Sequence, residues 1–255
     1  MSPKNPRLTR LFAFLQEHRE LNETFQQQEY RRALSHCPDS LSRLTQLLHS
    51  TVNTQSTPRM SKLGQFWREL HDFVPGRTPS LFDLIEHFER RANLKARGAG
   101  PWERLFWALS SQPGWGPKTS ALFVKGAIEV HRGPRALHFL DNPETALTLE
   151  PNDKVYLPVD AVITHVFKAL GLTSPSFHSV NSALHESYDA EQMLVWDDLW
   201  FWGFFTQVSD GSTRRFEWNQ DKFWCQISAP KPAEANVRKL GEEFIRLCRG
   251  ARSAS

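Results

Sequence analysis

The chain is poor in cysteine. Its three, Cys37, Cys225 and Cys248, are too few and too scattered among 255 residues for a disulfide framework or a Cys-x-x-Cys zinc site. They suit a reducing interior. No stretch approaches the roughly 20 apolar residues of a membrane span. The densest apolar run, Trp196 to Phe205, is interrupted by Asp197 and Asp198. The N-terminus has no long apolar segment, which predicts no signal peptide. Strand-like alternation is nearly absent, and there are no internal repeats or low-complexity tracts. A large excess of one charge sign is also lacking, with 31 basic and 28 acidic residues. A formal net charge of +3 identifies no partner.

Aromatic residues and helical periodicity are plentiful. Nine tryptophans and eighteen phenylalanines exceed what a chain of this length needs, and most must form core. Apolar residues recur at three and four positions in Leu8-Leu11-Phe12-Leu15 and in Leu41-Leu44-Leu47-Leu48, the latter after Asp39 or Ser40 as a cap. Leu63, Phe66, Trp67, Leu70 and Phe73 mark a helix stopped by Pro75-Gly76. Ser80 caps another carrying Leu81, Leu84, Ile85 and Phe88. Further helices are predicted over 102–110, 118–131, 180–186, 190–208 and 233–248, the last after Pro230 and Pro232. Val159, Val162, Ile163, Val166, Phe167 and Leu170 form an apolar stripe that Gly171 ends. Residues 133–156 have no clear period and read as an irregular insertion. The chain is expected to be all-α, with two helical lobes closed by elements from both chain ends. The expected regions are 1–100, 101–172 and 173–255.

Two features carry chemistry. Pro113-Gly114-Trp115-Gly116 links two predicted helices, and Lys118 follows in the first turn of the second. Glycines let a backbone approach closely, and amides at a helix start make an anion site suited to phosphate. A plain αα-turn needs glycine equally. Gly116-Pro117-Lys118-Thr119 is not a P-loop, because Pro117 precedes the lysine where glycine is needed and Gln112 stands where the first glycine belongs. The first helical turn disfavours a cation, and a lysine that sheds its proton is a nucleophile able to form a Schiff base. A lysine there can also simply hold a phosphate. Forty-two positions on, Asp160 precedes the Val162–Leu170 stripe as a natural N-cap. Helix amides favour an anion at that point, and a carboxylate can stabilise a sugar cation as a base departs. Arg90, Arg91, Lys95, Arg97 and Arg104 cluster before the turn, as a solvated helix face or as a phosphate-facing patch.

The order Gln112-Pro-Gly-Trp-Gly-Pro-Lys-Thr-Ser120 followed by Pro158-Val-Asp160 resembles the helix-hairpin-helix DNA glycosylases, among them endonuclease III and the 8-oxoguanine DNA glycosylases. The family pattern approximates Leu-Pro-Gly-Val-Gly-x-Lys-Thr-Ala and then Val-Asp-x-His. The resemblance implies a DNA cleft between the two lobes, Lys118 as Schiff-base nucleophile and Asp160 as catalytic carboxylate. It also implies Pro113, Gly114, Trp115, Gly116 and Thr119 at the DNA backbone. The chain departs from the family in its longer lysine-to-aspartate spacing, in Trp115 replacing a small aliphatic residue, and in having too few cysteines for the iron–sulfur cluster. His165 lies five residues after Asp160, not two. The matching segment covers about residues 101–172.

The expected activity is removal of a damaged or modified base from double-stranded DNA with β-lyase chemistry. Oxidised guanine and bulky phage-type bases are the candidates. Trp115, Trp200, Trp202 and Phe205 are the candidate base pocket, although aromatics at helical spacing are more often core than pocket. Asp197 and Asp198 could read a base edge or serve as caps. No metal, cofactor or membrane is called for, and the chain is expected to act as a cytoplasmic monomer, nucleoid-associated if its source is bacterial. The alternatives are a DNA-binding module without catalysis, in which Lys118 holds a phosphate and Asp160 only caps, and a helical protein–protein adaptor.

Overall fold

The computed structural model describes residues 5–73, 77–95, 97–141, 148–211, 213–226 and 232–250. These form an all-α protein. The first helices are α1 (Pro6–Glu17), α2 (Arg19–Leu34), α3 (Ser40–Val52), α4 (Met60–His71), α5 (Leu81–Ala92), α6 (Pro101–Ser110) and α7 (Pro117–Arg132). A 3-10 turn at Arg135–Leu137 follows. Then come α8 (Ala161–Ala169), α9 (Phe177–His185), α10 (Ala190–Trp196) and α11 (Asp198–Phe205). A small antiparallel hairpin, β1 (Gln207–Ser209) and β2 (Arg214–Phe216), pairs Val208 with Arg215. Helices α12 (Gln220–Gln226) and α13 (Glu234–Arg249) complete the described chain. Among the described residues, no helix is long and apolar enough to cross a membrane.

The expected stripes become buried faces. Leu44, Leu47 and Leu48 of α3 are buried, as are Leu81, Leu84, Ile85 and Phe88 of α5. Asp39 caps α3, and Ser80 with Asp83 forms a capping box on α5. Gly171 ends α8 as expected. The Leu172 amide bonds to Phe167 O and the Gly171 amide to Lys168 O, the paired bonds of a Schellman motif. The Pro75-Gly76 stop and Pro230 lie outside the described residues.

Two expectations are corrected, and one helix without a stripe is added. The single helix over 190–208 is two helices, and the chain then enters β1. The Trp200 amide bonds to Asp197 O, an i→i+3 bond that tightens the backbone at the break. Helix α2 has few apolar residues and gives no stripe. It forms because Glu, Gln, Arg and Leu favour helix, and its buried Asn22 donates to Asp198 Oδ1 at 2.5 Å. The insertion is only partly irregular. Asp153 is buried and accepts from the Trp102 and Glu103 amides at 3.0 and 2.8 Å, so its carboxylate caps α6. Tyr156 stacks on Phe106 and donates to Glu103 Oε1 at 2.8 Å.

The chain divides into two compact units, though not at residues 100 and 172. A middle unit holds Gln26–Pro158 and Asp189–Glu191. A terminal unit holds the chain through Phe25, Val159–Tyr188 and everything from Gln192 onward. Packing explains the division. Helix α7 packs on α6 and α3, and α6 packs on α5, all before Pro158. Helix α8 packs on α11 and α13, which come after residue 172.

Candidate functional site

In the middle unit, the α6–α7 turn is built by its own residues. The Trp115 amide bonds to Gln112 O at 3.1 Å, with Pro113 and Gly114 between them. Gly114 has φ of +81°, as the third residue of a type II turn requires. A Cβ there would lie 2.6 Å from Leu63 Cδ2 of α4, so only glycine lets the turn seat on that helix. Gln112 is buried and donates to Phe88 O and Ala108 O at 2.9 and 2.8 Å. Gln55 donates to Gly114 O at 3.1 Å.

Gly116 differs from Gly114. It is the N-cap of α7, with φ of −139°, and a Cβ would meet nothing within 4 Å. The fold itself does not need glycine there. No side chain caps α7, and Pro117 at its first position has no N–H. The amides of Lys118 and Thr119 therefore begin the helix without a side-chain acceptor. They border an open, polar hollow of about 620 Å³, lined by the turn, by Gln55, Ser56 and Thr57, and by the cations Arg59, Lys62 and Lys118. Lys118 is half-buried.

Two expected backbone contacts turn inward. The Trp115 side chain is 7% exposed, and its ring packs on Phe66 and Phe123. Thr119 is buried, with Gln55 Nε2 at 3.4 Å from its hydroxyl. Both residues anchor the hairpin. Trp115 is thereby removed from the base pocket, because its ring is in the core. The arginine cluster is also largely committed internally. Arg91 pairs with Asp72 at 2.6 Å, Arg104 forks onto Glu89, and the Arg97 guanidinium lies 3.4 Å over the Trp107 ring.

Asp160 belongs to the terminal unit. It caps α8 as expected, with Oδ1 accepting from the Val162 and Ile163 amides at 2.8 and 3.0 Å. Its Oδ2 accepts from Trp200 Nε1 at 3.1 Å. Close packing makes that bond reachable. A Cβ on Gly203 would lie 2.6 Å from Val162 Cγ1, so glycine lets α11 approach α8. The half-buried Trp200 ring stacks on Phe204 at 4.7 Å, and Lys222 Nζ lies 4.6 Å over the Phe204 ring. Lys222 also donates to Phe204 O and Gln207 O at 3.2 and 2.9 Å. Burial, reinforced by Arg214, draws the Lys222 amine below its ordinary pKa, and Asp160 opposes that shift.

Of the four aromatic pocket candidates, Trp200 alone stands beside Asp160 with its ring partly open. Trp202 and Phe205 are 0% and 1% exposed. Trp202 packs on Phe14 and Phe201, and Phe205 on Phe223. They are core, because α11 is apolar on nearly every face and only one face can border solvent. Asp197 and Asp198 are buried as well, with Asp198 held by Asn22. Neither is open to a base edge. Sequence reasoning missed Phe204 and Lys222. The i, i+4 spacing of Trp200 and Phe204 was a usable signal. Lys222 had none, standing 62 positions after Asp160.

His165 sits on α8 against Phe216, ring centres 4.6 Å apart. Burial, with Arg214, Lys168 and Arg249, lowers its pKa. Among the described residues no cluster of three or more His, Cys, Asp or Glu could hold a metal. No family model, no curated protein and no solved structure matches the chain, so the candidate site rests on this geometry and on the sequence motif.

Proposed function

We propose that the protein is a DNA glycosylase that excises a damaged or modified base from double-stranded DNA, with Schiff-base lyase activity. The observation that carries the reading is Gly116. It leaves open the approach to an uncapped helix start beside Lys118, at a position where the fold tolerates a side chain. A phosphate is the natural occupant of such a place.

The remaining roles follow from chemistry. The turn amides, with Arg59 and Lys62, grip the backbone while the target nucleotide leaves the stack. Lys118 Nζ attacks the sugar C1′, and the C1′–N bond breaks with its electron pair departing on the base. Asp160, fixed by two amides and an indole N–H, stabilises the positive charge that develops on the sugar. The amine gives a proton to the departing base. The C1′–O4′ bond then opens with its electron pair on O4′, which takes a proton from water. The Schiff base so formed acidifies the C2′ hydrogen and permits β-elimination of the 3′ phosphate. Trp200 and Phe204 offer a stacked aromatic edge for the extruded base. Oxidised guanine and bulky phage-type bases remain the candidate substrates, and the chain acts as a monomer in the compartment that holds the DNA.

Borohydride reduction with abasic-site DNA tests the lysine. A covalent adduct is expected, and it should vanish in Lys118→Ala. An adduct undiminished in that variant refutes Lys118 as the nucleophile. Mass spectrometry of bases released from a panel of damaged and hypermodified DNAs identifies the substrate.

A second reading is a DNA-binding module without catalysis. It is favoured by the structural commitment of Asp160, whose two oxygens already accept three hydrogen bonds. The second reading predicts that no base is released from any DNA in the panel while binding persists.

A further inference from the structure

The terminal unit carries a concentration of cations that the proposed chemistry does not use. Two hollows, of about 690 and 440 Å³, adjoin at the C-terminal end of α13 and share Arg246, Arg249 and Gly250 in their walls. Arg215 and His165 complete one, and Arg7 and Arg10 the other. Among the described residues, no carboxylate side chain lines either hollow.

These arginines are fixed without being neutralised. Arg7 Nη2 donates to the carbonyls of Ala169 and Cys248 at 3.0 and 2.6 Å, and Arg249 Nη2 donates to Phe216 O at 2.7 Å. Arg214 reaches the neutral Gln207 Oε1 at 3.4 Å. Arg215 is the exception, paired with Glu217 at 2.7 Å. Among the described residues none of Arg7, Arg10, Arg214, Arg246 and Arg249 has a carboxylate at ion-pair distance. Two donor atoms also stand without partners among the described residues, Arg7 Nε and His165 Nε2. Carbonyl bonds hold a guanidinium in place yet leave its charge for an incoming anion.

The cations extend towards Asp160. Lys222 and Arg214 are close enough to influence each other, as are Arg214, Lys168 and Arg249 around His165. The nine residues of α8 cover about 13 Å between the Asp160 end and the Ala169 end. That is roughly the reach of two phosphates along one strand.

We infer that this arginine track on the terminal unit is a docking surface for a nucleic-acid backbone, separate from the glycine turn of the middle unit. The occupant is a polyanion with regularly spaced, singly charged phosphates. Several cations spread over two open hollows suit such a chain better than one compact anion. The inference rests on the DNA-binding half of the proposed function and is independent of its chemistry.

The test uses the full chain and an undamaged DNA duplex, with binding followed by fluorescence anisotropy from 50 to 200 mM salt. Arg10 and Arg246 are exposed, and neither is used by the proposed catalysis. The double variant Arg10→Ala/Arg246→Ala should lower the slope of log K against log salt by about 2 in magnitude. Arg10→Lys/Arg246→Lys should retain the slope, and thermal melting should match the parent for both. Borohydride trapping at saturating protein should be unchanged in the alanine variant, which separates this inference from the lysine mechanism. An unchanged slope overturns the inference. So does a variant that keeps its DNA slope but loses sedimentation with phosphatidylserine vesicles, because the track would then serve an anionic membrane.

Discussion

Lowering the pH from 7 to 5 should destabilise the middle unit through His131. This imidazole is 1% exposed. Its Nδ1 donates to Ala127 O at 2.8 Å, and its Nε2 accepts from the Phe139 and Leu140 amides at 3.3 and 3.0 Å. It thereby fastens the end of α7 to the chain that leaves it. Protonation places a hydrogen on Nε2 facing two N–H donors, so both bonds are lost. Burial is the main cause that lowers its pKa to about 4, against the smaller opposing effect of the Ala127 bond. In the unfolded chain the ring titrates near 6.5. The unfolded state therefore binds the proton first. The stabilisation is complete above about pH 6.5 and is lost as pH falls towards 4. At pH 5 the separation from 6.5 corresponds to roughly 2 kcal/mol. Urea unfolding at pH 7 and pH 5 measures the loss. His131→Gln should be less stable at pH 7 but should lose roughly 2 kcal/mol less than the parent between the two pH values. Equal pH dependence in both proteins, or an NMR titration of the His131 ring near 6.5, would refute the reasoning.

The two turn glycines should behave differently. Gly114→Ala meets Leu63 and a positive φ, and should cost about 1–3 kcal/mol in urea unfolding. Gly116→Ala should change stability by less than about 1 kcal/mol yet weaken DNA binding severalfold in anisotropy; unchanged affinity would remove the observation on which the function rests. Trp200→Phe deletes the indole donor to Asp160. It should lower the single-turnover rate of base release about tenfold with little change in DNA affinity, and an unaltered rate would show that the bond only braces α8. Trp202→Ala should destabilise by about 3–5 kcal/mol as a core truncation, whereas a mild loss in thermal melting would return Trp202 to the list of pocket residues.

The helices were legible because helix formation is local. An apolar stripe every three or four residues, a capping Asp39, Ser80 or Asp160 and a closing Gly171 all act within a few positions. Helix α2 escaped that reading because its stability comes from propensity and from one buried amide–carboxylate bond, not from a stripe. The Arg90–Arg104 cluster read as free charge because its partners, Asp72 and the Trp107 ring among them, are invisible to composition.

By itself, the sequence determined the all-α character, the tight turn before Lys118 and the capping place of Asp160, since each depends on neighbours within one or two helical turns. Tertiary structure alone decided which tryptophan stands at the aspartate. Periodicity shows that α11 is apolar but not which face meets a neighbour, and Gly203 against Val162 is what turns Trp200 to Asp160 and Trp202 into the core. It likewise brought Arg7 and Arg249, distant along the chain, onto backbone carbonyls that leave their charges uncancelled. Contacts of that kind are set by packing between whole elements, and no local pattern encodes them.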